Sequence, residues 1–284
     1  MAALSFSTPL LMDGATGSRL AGLGLACCEQ ANLTHAGRVR SLHLGYVAAG
    51  ARVLLTNTFQ ANPPALSRHG LEGQLERIAS RAVQLARVPL SPLVLGDVGP
   101  ILTPGSRREF ADRDALRRTV EALAEADGVL FETCSSPDAL AAIAFVLHRV
   151  HEVDGLPLLL SLAYHRGPDG KLVTVSGHAP EVFARHATRH GVAALGVNCG
   201  RDVGLEDVKE VLWRYRSETD LPLFARPNAG TPDASGAYPR SPAEFSAAVP
   251  ALLLAGASML GGCCGTTEAH IGSMQGGLAG LPPG

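Results

Sequence analysis

An α/β fold closed into a single (β/α)8 TIM barrel over residues 1–284, with its active site at the C-terminal ends of the strands, is what this sequence predicts. Three observations predict it. Short apolar runs alternate with longer segments of helical spacing along the whole chain, which implies parallel strand pairing. Eight such units fit a chain of 284 residues that is 46% hydrophobic. Polar and metal-capable residues follow the apolar runs directly, where a barrel of this kind carries its chemistry. A doubly wound open sheet is the alternative, but it needs fewer strands and a phosphate loop that the sequence lacks.

In chain order, the strand runs are Leu10–Met12, Val53–Leu55, Leu93–Leu95, Val129–Phe131, Leu158–Leu162, Ala194–Val197, Leu223–Ala225 and Ser258–Leu260. Between them, Val39, Leu42, Tyr46 and Val47 recur at helical steps, as do Leu75, Ile78, Ala82 and Leu85. Further helices are predicted at Leu116–Glu125, Asp138–Val150, Pro180–His190, Leu205–Ser217 and Pro242–Leu254. Ser136-Pro137 and Ser241-Pro242 each set a capping residue before an N1 proline. The proline- and glycine-rich stretch Pro227 to Pro242 reads as a long functional loop.

The bulk properties exclude several function classes. With 24 basic and 26 acidic residues and no basic run, the chain offers no nucleic-acid surface. No apolar run reaches the length of a membrane span, and Met1 to Pro9 carries no positive region of a secretory signal. Six cysteines in a chain of this size do not make a disulfide scaffold. The expected location is cytoplasmic, where cysteines serve as metal ligands or nucleophiles.

The run Gly261-Gly262-Cys263-Cys264-Gly265 carries the sharpest chemical signal. Adjacent side chains on an extended segment point apart, so converging both thiols on one ion needs a bend that glycine permits. Cys199 ends an earlier apolar run of the same shape. Three thiolates leave one position of a tetrahedral Zn2+ open, the pattern of a catalytic site, and a substrate thiol is the soft ligand that suits it. Two other readings of the pair stand beside this one: buried small hydrophobes, and a vicinal disulfide. Cys27 and Cys28 are adjacent too, but without flanking glycine pairs, and read as incidental; Cys134 reads as packing.

Asp13 and Glu132 read either as carboxylates that bind a substrate ammonium or as loop acids. Glu132 follows Val129-Leu130-Phe131 directly, so it caps a buried strand and needs a partner. Gly14, Ala15, Thr16 and Gly17 could turn backbone N–H groups toward an anion. Asn57, Asp97 and Asn228 are strand-end groups that suit substrate contact or loop anchoring equally. The histidines, His43, His148, His151, His186 and His190 among them, show no ligand spacing and default to helix surfaces.

Asp13-Gly14-Ala15-Thr16-Gly17, Thr56-Asn57-Thr58-Phe59, Glu132-Thr133, Val197-Asn198-Cys199, Pro227-Asn228-Ala229-Gly230 and Gly261 to Gly265 together resemble the homocysteine S-methyltransferase family. The likeness runs over nearly the whole chain. It is greatest to the homocysteine-binding module of cobalamin-dependent methionine synthase, here as a standalone domain. The resemblance implies Zn2+ held by Cys199, Cys263 and Cys264. It also implies homocysteine with its amino group near Asp13 and Glu132 and its carboxylate near the Gly14–Thr16 backbone, with Asn57 a further substrate contact. The reaction it implies is methionine formation, with homocysteine sulfur as the thiolate acceptor. The donor would be S-methylmethionine, S-adenosylmethionine or a corrinoid. The chain ends soon after its last helix, so a corrinoid- or folate-binding partner would be a separate protein. Without that partner, the domain would bind homocysteine and zinc and turn nothing over. Betaine is the weaker donor, because Gln60 stands where the betaine-using branch has an aromatic residue and the single tryptophan, Trp213, lies on an outer helix.

Overall fold

The computed structural model describes residues 8–90, 92–103, 108–150, 155–200 and 202–280. His151 and the segment Met1–Ser7, both weighed above, lie outside them. Eight parallel strands form one sheet: β1 Leu10–Leu11, β2 Val53–Leu55, β3 Leu93–Val98, β4 Gly128–Cys134, β5 Leu158–Leu162, β6 Ala194–Asn198, β7 Leu223–Arg226 and β8 Ala257–Leu260. Each pairs with its chain neighbour from β2 to β8, and β8 pairs with β1. A parallel bridge between Met12 and Val53, with the Asp13 N–H on the Val53 carbonyl at 2.9 Å, joins β1 to β2 and completes the ring.

Helices follow the strands: α1 Ala36–Ala48, α2 Leu75–Ala86, α3 Arg113–Glu121, α4 Pro137–Leu147, α5 Pro180–Arg189, α6 Leu205–Arg216, α7 Pro242–Leu254 and α8 Glu268–Ala279. Their starts obey local chemistry. Ser136 accepts from the Ala139 N–H ahead of Pro137. Ser241 and Glu244 cap each other's N–H groups ahead of Pro242. No helix among the described residues is long and apolar enough to cross a membrane.

Two cores result from the period of two along each strand. The larger lies between strands and helices. The smaller fills the barrel: Met12, Val53, Leu55, Leu95, Leu130, Leu159, Ala194, Phe224 and Met259. Gly196 makes room for it, since a Cβ there would lie 2.2 Å from the Phe224 ring.

Two features depart from the sequence reading. A hairpin, His165–Arg166 against Leu172–Val173, follows β5. Strands this short have no period to read, although its Gly170, at φ 76°, carries a turn signal. His43 is not on a helix surface: it is fully buried, neither ring nitrogen has a partner, and burial holds its pKa down to about 4. It lies four residues after Val39 and three before Tyr46, on the face that packs inward.

Candidate active site

Continuing the strand period upward sets the walls of the site. Two residues beyond the inner apolar layer stand Asp97 after Leu95, Glu132 after Leu130, Ser161 after Leu159 and Arg226 after Phe224; Asn198 stands four beyond Ala194. A cavity of about 460 Å³ opens at these strand ends, and Asp97, Glu132, Arg226, Cys199, Cys263 and Cys264 line it.

The three cysteines meet there from β6 and β8. Their sulfurs all lie within 4.8 Å of one another, and Cys199 Sγ is 4.0 Å from Cys264 Sγ. Tetrahedral zinc with sulfurs at about 2.3 Å sets them about 3.8 Å apart, so the donor set fits such an ion. Strained backbone makes the convergence. Cys199 takes a left-handed φ of 51°, turning its side chain off the strand's alternation. After Cys263 the Thr266 N–H closes a turn on the Cys263 carbonyl at 3.1 Å, with Gly265 at φ 78°. Asn228 Nδ2 donates to Cys199 Sγ at 3.5 Å, and Asn198 Nδ2 reaches Cys263 Sγ at 3.9 Å. Hydrogen bonds from Cys263, Cys264 and Asn228 hold the Cys199 thiol well below its ordinary pKa, against the opposing effect of burial.

Opposite the sulfurs lies a buried ion cluster. Arg226 donates through Nη1 to Glu132 Oε1 at 2.5 Å and through Nη2 to Asp13 Oδ1 at 3.1 Å. Asp13 Oδ2 accepts from the Leu55 N–H at 2.8 Å. Burial raises the Asp13 pKa to about 7 against the pull of Arg226.

The other expected contacts divide. Ala15, Thr16 and Asn57 line the cavity; Asp13 and Gly14 are not among its walls. The Ala15 N–H donates to Thr266 Oγ1 at 3.0 Å, which removes it as an anion donor. A Cβ on Gly14 would come within 2.8 Å of Thr266 Oγ1 and 2.9 Å of the Tyr46 hydroxyl, so close packing is what needs glycine there. Asn57 anchors as well as lines: its Nδ2 donates to the Cys28 carbonyl and to Asn32. Cys27 and Cys28, set aside in the sequence, are cavity walls too, and Cys134 is core. Arg226 and Asn198 had no assigned role. Their signal was a polar residue in inward register at the end of an apolar strand, Leu223-Phe224-Ala225-Arg226 being the plainest case.

Eight parallel strands ending in one cavity, walled by three thiols and a buried ion cluster, define a barrel enzyme with thiol chemistry at its mouth. The sequence profile described as homocysteine S-methyltransferase matches residues 10–277. The chain belongs to that family. It is 28% identical over 295 residues to a methionine synthase of Mycobacterium tuberculosis and 29% over 285 to that of Mycobacterium leprae. Those alignments cover 95% and 91% of this chain but 24% and 23% of the relatives, so the chain spans about a quarter of their length. The homocysteine methyltransferase MmuM of Escherichia coli, in its metallated form, superposes with a TM-score of 0.77 at 25% identity, over 95% of this chain and 96% of that one.

Proposed function

We propose that this chain is a zinc-dependent homocysteine S-methyltransferase that forms methionine from homocysteine and an activated methyl donor. The observation that carries the reading is the meeting of three sulfurs within 4.8 Å on a cavity wall, in a chain of this family. Cys199, Cys263 and Cys264 would hold the zinc. Zinc so held would supply Lewis acidity that favours the thiolate form of a substrate thiol at neutral pH.

The chain's own residues do the rest. Asn228 and Asn198 steady the sulfurs with side-chain N–H groups. Arg226 holds Glu132 at the cavity wall, and Asp13 and Gly14 brace Arg226 from behind. Thr16, Ala15 and Asn57 shape the wall on which the amino-acid end of the substrate would rest. No general base is assigned among the cavity residues, because a metal held by the three sulfurs would itself lower the pKa of a substrate thiol. All six cysteines are free, which supports a cytoplasmic, reducing location.

S-methylmethionine, S-adenosylmethionine and a corrinoid carried by a partner protein are the candidate donors. A second reading, favoured by the similarity to methionine synthases, is that methyl transfer also depends on a methyl-carrier module that binds a corrinoid or folate. Zinc-reconstituted protein incubated with homocysteine and each small donor in turn decides between them. Methionine from any small donor supports the self-sufficient enzyme. Homocysteine binding without turnover supports the partner-dependent one, and binding of neither zinc nor homocysteine overturns both.

A further inference from the structure

The loop after β7, residues 227–241, lies against the segment that presents Cys263 and Cys264, and hydrogen bonds fasten both of its ends. At its start, the Cys263 N–H donates to the Pro227 carbonyl and the Ala229 N–H to the Cys264 carbonyl, each at 2.9 Å. Between these two, Asn228 Nδ2 donates to Cys199 Sγ. At its far end Arg240 folds back on that start. Its N–H donates to the Ala229 carbonyl at 2.9 Å, and its Nη1 to the Asn228 and Val203 carbonyls at 3.1 Å. The Arg240 carbonyl is in turn 3.0 Å from His270 Nε2.

His270 stands in the first turn of α8, and its partners fix its tautomer. The Thr267 N–H, 3.2 Å from Nδ1, can only donate, and the Arg240 carbonyl can only accept. Nδ1 is therefore the bare nitrogen, and Nε2 carries the proton. The ring is buried edge-to-face against Phe245, with centroids 5.0 Å apart, which holds its orientation. It stands outside the cavity walls. Capping α8 needs only the acceptor at Nδ1; the Nε2–H bond to a main chain 30 positions away is a second job.

We propose that His270 is a positioning residue of the three-sulfur site, acting through Arg240 and Asn228 on Cys199, an assignment that rests on the zinc reading above. Cys199 follows β6, whereas Cys263 and Cys264 follow β8, so a metal between them needs the two segments held together. His270 belongs to the helix that follows Cys263 and Cys264, and it grips the loop that meets Cys199. It ties the two halves of the site from outside. Partners one step behind a metal ligand ordinarily set its affinity for the metal.

Two variants separate the cap from the tie. His270→Asn sets an amide oxygen near the Nδ1 position, so it keeps the cap and loses the reach to Arg240. His270→Gln sets an amide N–H near the Nε2 position, so it keeps the reach and loses the cap. Zinc affinity is measured on folded protein by competition with a chromophoric chelator, and site geometry by the thiolate-to-metal charge-transfer band of Co2+-loaded protein. His270→Asn is expected to bind zinc about tenfold more weakly and to shift that band; His270→Gln should restore affinity to within about threefold of wild type. Arg240→Gln cuts the next link and should weaken zinc binding as His270→Asn does, and the double variant should lose less than the two single losses combined. Wild-type affinity in either His270→Asn or Arg240→Gln, or equal loss in His270→Asn and His270→Gln, overturns the tie and leaves the zinc site standing. Wild-type protein that takes up neither Zn2+ nor Co2+ overturns both.

Discussion

Arg226 is the residue on which the floor of the site depends. It is 3% exposed, and two carboxylates are bonded to it. Removing the cation leaves two uncompensated buried acids, so Arg226→Gln should lower stability by about 3–5 kcal/mol, read as a fall in the urea midpoint. Lysine should rescue little, because one ammonium cannot reproduce the guanidinium fork that meets Glu132 and Asp13 at once. A midpoint within error of wild type for Arg226→Gln would refute this account of the floor. At the opposite wall, Cys199→Ser or Cys263→Ser should lose bound zinc and methyl transfer together, because a hydroxyl is a poor substitute for a thiolate on zinc. Metal analysis alongside the assay checks it; full activity in a zinc-free variant would sink the mechanism.

At the scale of single elements, glycine separates two jobs the barrel must do. A Cβ on Gly262 would lie 2.3 Å from Thr266 Oγ1, inside the segment that presents Cys263 and Cys264. Gly262→Ala should therefore shift that segment and lower zinc affinity. A Cβ on Gly196 would instead strike the Phe224 ring in the barrel interior. Gly196→Ala should cost about 1–3 kcal/mol by overpacking and leave zinc stoichiometry near wild type in the folded fraction. Thermal unfolding and metal content, measured on both variants, test the split; equal metal loss in the two would defeat it. The strands themselves were legible because each apolar run is short, separate and followed by polar residues. The helix starts were legible from Ser136-Pro137 and Ser241-Pro242. The β5 hairpin was not, because two-residue strands carry no period. His43 was read as a surface residue because its polarity outweighed its helical register.

For the whole molecule, the cluster of Asp13, Asp97, Glu132 and Arg226 makes stability depend on pH. Burial raises all three carboxyls, Asp13 from 3.8 to about 7. Between those values the folded chain holds protons that the unfolded chain has released, so these groups lose stabilising effect as pH rises through the window. Other acids shift the opposite way, Asp127 and Glu181 among them, so the clean readout is a difference between two proteins. The Tm of Asp97→Asn minus that of wild type should grow as pH rises above the ordinary carboxylate range, because burial holds the folded Asp97 carboxyl well above it. A constant difference would show that Asp97 does not titrate out of step with the unfolded chain.

The sequence by itself determined the barrel, the order of its strands and the three cysteines that meet at its mouth. Alternation of apolar runs and helical segments, with polar residues at strand ends, is a local pattern and needs no coordinates. Which buried acids keep an unpaired oxygen was decided only by the tertiary structure. Asp13 and Asp97 are both strand-end acids in the sequence, and nothing local distinguishes them. Closure of the ring sets Arg226 and the Leu55 N–H against Asp13 and leaves Asp97 Oδ1 with no partner. Free valence at a buried carboxylate depends on residues more than 40 or 200 positions away in the chain, and only packing brings those together.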